Sequence, residues 1–160
     1  MQYSELHCIT NFTFLRGASH PYELVNTASK LGYNALAITD ECSLSGIVKA
    51  NVAASKKNLQ LIIGSEFKIE SHKIIILVTN RDSYSKLSSL ITLARRRSKK
   101  GKYQIRWSDL KFNNDGLLIL WIPCGYLTRD TLIASQLHEW FDQRLWIAFH
   151  NVLNLSLIHI

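Results

Sequence analysis

Apolar and polar positions along this 160-residue chain follow two rhythms that take turns, one of period two and one of period three to four. A β-like run at Tyr3–Ile9 precedes a helical stripe of Tyr22, Val25, Ala28 and Leu31, which opens at Pro21 and stops at Gly32. Proline suits the first helical position because the N–H it lacks would be unpaired there anyway. Ala35–Thr39 reads as a short buried strand. Ser43 reads as the cap of a second helix running to Asn58, with Ile47, Val48 and Val52 on its inner side. Leu59–Ile63 predicts a third strand stopped by Gly64, and Glu66–Glu70 and Lys73–Thr79 two more, joined by a turn at Ser71–His72. Asp82 is placed to cap a helix carrying Tyr84, Leu87, Leu90, Ile91 and Ala94. Gly116–Ile122 follows as a strand, Thr128–Asp142 as a helix and Leu145–Phe149 as a last strand. Strands separated by helices predict an α/β fold with a parallel-rich sheet and flanking helices.

No repeat or low-complexity linker divides the chain, so residues 1–150 read as one domain. The end breaks the pattern: 151–160, NVLNLSLIHI, has no charge and no cap, and reads as an abrupt, candidate non-native end to a fragment. No run approaches ~18 consecutive apolar residues, which excludes a helical membrane span. MQYSELHCITNF lacks the basic head and apolar core of a signal peptide. Cys8, Cys42 and Cys124 are odd in number and far apart, which argues against a disulfide framework and for a reducing cytoplasm.

The net charge of +7 is concentrated in one place. From Arg81 to Lys111 there are ten basic and two acidic residues, against nine and ten elsewhere. The densest stretch holds Arg95, Arg96, Arg97, Lys99, Lys100 and Lys102. Such a cluster suits a phosphate backbone, and DNA is the partner it would take. It equally suits a solvated helix end, where cations complement the helix dipole.

In α/β folds polar side chains gather at the C-terminal ends of the strands. Here those positions hold His7, Asp40, Glu41 and Glu66, with His72 opening the next strand. Imidazoles and carboxylates from separate strands can bind Zn²⁺, Mn²⁺ or Fe and support metal-assisted hydrolysis. The competing reading is structural: Asp40 as a turn or cap residue, and each histidine as a packing group. No HxH, HExxH or CxxC spacing occurs, and neither a Walker loop nor GxGxxG is present. Nothing in the sequence marks Cys8 or Cys42 as an activated thiol.

The segments ELHCITNFTFLRGASHPYELV, LGYNALAITDECSLSGIVKA and LQLIIGSEF, followed by RDSYSKLSSLITLARRRSKKGKY, resemble the N-terminal region of bacterial error-prone DNA polymerases. These enzymes are relatives of the replicative DNA polymerase III alpha subunit. The resemblance covers residues 3 to 125 and is to the PHP (polymerase and histidinol phosphatase) domain. It implies an incomplete, distorted β/α barrel with metal ligands at its strand ends.

Position by position, His7 matches the first histidine of the family's HxH, and Ile9 stands at the second. Arg16 stands at the acidic position of "LDGA", and Glu41 at the histidine of "TDH", with Asp40 kept. Glu66 keeps the glutamate of "GxE". His72 matches a later histidine, and Cys124 approximates a further ligand. The resemblance therefore implies a degenerate site (His7, Glu66, His72 and Asp40 for Zn²⁺ or Mn²⁺) in a largely structural module. It implies a whole protein that is a DNA-directed DNA polymerase, a nucleotidyltransferase of DNA replication, repair and damage-induced translesion synthesis. The palm carboxylates that would use Mg²⁺ lie outside these residues. The implied partners are DNA, the remaining polymerase domains, and other mutagenesis or replication proteins, in the bacterial cytoplasm. The alternatives are a stand-alone metal-dependent phosphoesterase and a non-enzymatic basic interaction fragment.

Overall fold

The computed structural model describes residues 3–112 and 114–148. Its elements, in chain order, begin with β1 (Ser4–Glu5), α1 (Pro21–Lys30), β2 (Ala35–Ile38), α2 (Ile47–Lys57) and β3 (Gln60–Ile69). The second half contains β4 (His72–Val78), α3 (Arg81–Arg96), α4 (Trp107–Lys111), β5 (Leu117–Ile122), α5 (Leu127–Phe141) and β6 (Leu145–Ile147). One curled sheet carries the strands in the order β1-β2-β3-β4-β5-β6. β1–β2, β2–β3 and β5–β6 pair in parallel, while β4 runs antiparallel to both neighbours. The expected α/β half-barrel is therefore a mixed sheet.

Alternation sorts the strand residues onto two faces. On the convex face, Leu36 and Ile38 pack under α1 and α2 against Val25, Ala28, Ala50 and Ala54. Further along, Phe67, Ile69, Ile74, Ile76 and Ile119 pack under Leu87, Leu90 and Ala94 of α3, Leu110 of α4, and Leu137 and Phe141 of α5. On the concave face Ala37, Ile75, Leu77 and Leu120 meet. A strand buried on both sides reads as an unbroken apolar run, as IIILV in β4 does.

Several boundaries differ from the sequence pattern. Gly64 does not end β3, which continues to Ile69. A Cβ at Gly64 would lie 2.6 Å from the Ile76 carbonyl oxygen, so this glycine admits the neighbouring strand. The hairpin turns on Glu70, at φ 55°, and His72 already belongs to β4. α2 starts at Ile47 rather than near Ser43, and its buried residues are Ile47, Ala50 and Ala54. Val48 and Val52, expected inside, are 73% and 53% exposed. Asn80, not Asp82, caps α3, its side chain accepting from the Ser83 N–H at 2.8 Å. α4 was not visible in the pattern. The described part of the last strand ends at Ile147, and 149–160, including the apolar end, lie outside the described residues. Among the described residues no helix is long and apolar enough to cross a membrane.

Candidate functional site

The parallel half of the sheet brings together the residues just past β1 and β2 and the middle of β3, where its parallel pairing with β2 ends. Past β2, Glu41 bridges to Glu66 in the same register that pairs Ile38 with Ile63. Past β1, the Thr39 N–H donates to the Cys8 carbonyl at 2.8 Å, which puts His7 beside them. Two carboxylates on neighbouring strands repel unless a cation lies between them.

That cation is Arg16. Its Nη1 lies 2.5 Å from both Glu41 Oε2 and Glu66 Oε1, and its Nη2 lies 3.1 Å from Glu66 Oε2. His7 Nε2 lies 3.1 Å from the same Glu66 Oε2, and His7 Nδ1 lies 2.7 Å from Thr39 Oγ1. On the other side of Glu41, the Tyr103 hydroxyl donates to Oε1 at 2.8 Å. Glu66 is 1% exposed at its side chain, so burial pushes its carboxyl up; the His7 and Arg16 bonds outweigh that and hold it at about 2. Bonding to Glu66 raises the Arg16 pKa further. Burial, then the bond to Glu41, raises that of Tyr103.

Asp40 serves the loop that carries Arg16. It is buried and accepts from the Thr10 N–H at 2.7 Å, Thr10 Oγ1 at 2.8 Å and Thr13 Oγ1 at 2.6 Å. The loop is tight: a Cβ at Gly17 would come within 1.9 Å of the Thr10 carbonyl oxygen. At its tip Leu15 takes φ 63°, a left-handed conformation that costs a leucine about 1 kcal/mol. Asp40 thus acts as a latch that fixes Arg16 over the carboxylates, and its oxygens are occupied by donors rather than presented to an ion.

His72 does not join this group. It sits opposite Ile69, on the helix-covered face shared with Ile74 and Ile76, whereas Glu66 sits opposite Ile75 of the concave face. Around His72 a second cluster forms. Cys124 Sγ lies 3.9 Å from His72 Nε2 and 3.2 Å from Asp130 Oδ1, and His72 Nδ1 lies 3.4 Å from Asp130 Oδ1. One ligand atom from each of the three falls within 4.8 Å of the others. The rings of Trp107 and Trp121 flank the imidazole at 5.6 and 6.0 Å. The His72 Nδ1 and both indole nitrogens are buried without a hydrogen-bond partner among the described residues. Burial opposes ionisation of Asp130, but the Cys124 and Gly125 N–H groups outweigh it and hold the carboxyl below its usual range. Sequence reasoning missed Asp130; its one signal was an acidic residue in the first turn of the helix after Cys124.

The basic run divides by role. The Arg95 guanidinium donates to the Cys42 carbonyl at 3.1 and 3.2 Å and to the Glu41 carbonyl at 3.3 Å, and lies 5.5 Å from the Tyr103 ring. Arg97 forms a two-point pair with Asp109. Arg96, Lys99, Lys100 and Lys102 are exposed and are in no ion pair among the described residues. Cys8 and Cys42 are pushed by burial to about 11, which leaves both as neutral thiols.

The class of protein this defines is a curled α/β half-barrel with a polar cluster beside the ends of its parallel strands, here bridged by a guanidinium. The PHP domain family matches residues 5–145, and the chain belongs to that family. It is 49% identical over 154 residues to an error-prone DNA polymerase of Saccharophagus degradans, covering 96% of this chain and 15% of that relative. It is 50% identical over 147 residues to one of Pseudomonas fluorescens, covering 91% and 14%. The chain thus spans about one-seventh of the curated relatives it matches. Among solved structures, a metal-dependent phosphoesterase of Bifidobacterium adolescentis superposes with a TM-score of 0.50 at 26% identity, over 59% of this chain and 34% of that one.

Proposed function

We propose that this chain is the PHP portion of an error-prone DNA polymerase of damage-induced, translesion synthesis, and that its first strand-end site is a structural remnant. The observation that carries this reading is the Arg16 guanidinium between Glu41 and Glu66. A divalent ion placed there would meet a fixed positive charge, no donor from Ile9, and carboxylates already paired. The residues of this site do not fit a metal, and no hydrolytic step runs through it. The guanidinium instead ties the end of β2 and the middle of β3 to the loop from Thr10 to Gly17, as a scaffold within a longer polypeptide requires. Arg96, Lys99, Lys100 and Lys102 at the end of α3 are the cations free to meet DNA or the polymerase domains that follow in the relatives. The bacterial cytoplasm is the matching compartment.

The test is metal content and phosphoesterase activity of the protein expressed with added Zn²⁺ and Mn²⁺. We expect no hydrolysis that depends on His7 or Glu66. Stoichiometric metal and phosphate-ester cleavage, both lost in His7→Ala and Glu66→Ala, would overturn the reading.

A second reading rests on the buried His72 Nδ1, which makes no hydrogen bond among the described residues and has the Asp130 carboxylate 3.4 Å away. His72, Cys124 and Asp130 offer imidazole, thiolate and carboxylate, a set that suits Zn²⁺ better than Mn²⁺. When bound, such an ion supplies Lewis acidity, while Trp107 and Trp121 exclude water from the imidazole. Titration with Co²⁺ reads this directly: a thiolate-to-metal absorption band should appear, vanish in Cys124→Ser and persist in Glu66→Gln.

A further inference from the structure

Val48 and Val52 lie one turn apart on the outer side of α2, both largely exposed. β-branched residues weaken an exposed helix, so nothing in the stability of α2 itself accounts for two of them there. They form the floor of a furrow of about 430 Å³ between α1 and α2, with Tyr22 and Asn26 of α1 on its far wall. Tyr22 is 48% exposed, and its ring stacks on that of His20 at 5.5 Å. Lysines ring this apolar strip: Lys49 at one end and Lys56 and Lys57 at the other. None of the three is in an ion pair among the described residues. α2 carries no carboxylate, and the one on α1, Glu23, is spent accepting from the His20 N–H at 2.7 Å.

We infer that this furrow is a docking site for a partner protein's acidic amphipathic helix, with apolar side chains seated on Val48, Val52 and Tyr22 and carboxylates meeting Lys49, Lys56 and Lys57. Lys49 lies over the Phe12 ring at 5.4 Å, a contact that leaves its charge without a counter-ion among the described residues. An apolar strip bounded by cations that lack a carboxylate partner is complementary to an apolar stripe bounded by anions, the common geometry of a helix bound in a groove. A second copy of this chain is a poor occupant, because its net charge is +7. Nucleic acid is a poor one too, since the valines present no group that a phosphate or a base edge would select. The furrow lies on α1 and α2 and shares no lining residue with either polar cluster or with the basic end of α3.

The probe is a fluorescein-labelled 14-residue peptide with leucines on one helical face and glutamates on the other, titrated into the 160-residue chain by anisotropy. Amide chemical shifts read where it lands. Shifts confined to α1 and α2 are expected. The dissociation constant should rise at least tenfold in Val48→Asp/Val52→Asp, and at least tenfold in Lys49→Glu/Lys56→Glu/Lys57→Glu. All five positions are exposed, so the circular dichroism of both variants should match the parent. Four results overturn the inference: the same affinity in both variants; equal binding of a peptide with glutamine for glutamate; α1–α2 shifts caused by single-stranded DNA and not by the peptide; or self-association abolished by Val48→Asp.

Discussion

Replacing Arg16 with methionine keeps much of the side chain's length and removes its charge, and the consequence can be worked out from Glu66. A buried carboxyl held at about 2 instead of 4.5 contributes about 3 kcal/mol of stability at neutral pH. The guanidinium supplies two of its contacts and His7 the third. Arg16→Met should therefore cost about 2 kcal/mol at pH 7, because it strands a buried charge with one partner. The pKa of Glu66 is depressed on folding, so its stabilisation is complete above about 4.5 and is lost as the pH falls toward 2. The gap between parent and variant must then close over the same range. Urea unfolding at pH 7, 5 and 3 measures it, and Arg16→Met/Glu66→Gln should recover part of the loss at pH 7. A gap of less than about 0.5 kcal/mol at pH 7, or one as large at pH 3 as at pH 7, would refute the reasoning and point to packing of the arginine stem instead.

Three more outcomes follow from the same geometry. Asp40→Ala should lose about 3 kcal/mol by thermal melting and open the loop from Thr10 to Gly17 to proteases, since it orphans the donors of Thr10 and Thr13. Gly17→Ala should destabilise by a comparable or larger amount, about 3 kcal/mol or more, because its Cβ would overlap the Thr10 carbonyl at 1.9 Å. Changing Arg96, Lys99, Lys100 and Lys102 together to alanine should weaken single-stranded DNA binding at low salt and flatten the log–log salt dependence by about 3, with no loss of thermal stability; an unchanged slope would remove DNA from the role of this cluster.

How far the sequence could be read depended on whether a residue's partner was near in the chain. Pro21 and the stripe behind it specify α1 locally, and the helix starts where the pattern put it. His7 was legible as a strand-end residue and does meet Glu66, but Glu66, expected just past a strand, lies inside β3 because that strand runs on through Gly64. Gly64 misled because a glycine that admits a neighbouring strand looks, in one dimension, like one that ends its own. Val48 and Val52 misled because small alanines, not the larger valines, let α2 approach α1 and the sheet closely. Arg95 and Arg97 looked like members of a uniform basic run; their partners are a backbone carbonyl 53 residues away and a carboxylate 12 away, which no local pattern shows. The parity of β4, which sends His72 to the face away from Glu66, is fixed by the exact position of the hairpin turn. A shift of one residue reverses it.

The sheet's strand order equals its chain order, and this bears on how the protein is made. Each strand leaving the ribosome hydrogen-bonds to the one synthesised just before it, so no strand waits for a later one to be inserted between it and its neighbour. At about 5–20 residues per second, the stretch from one strand to the next emerges within a few seconds, while closing short loops takes microseconds or less. The sheet can therefore assemble edge by edge as translation proceeds, so that besides the fixed edge at β1 the growing sheet presents one further edge, which moves to each new strand in turn.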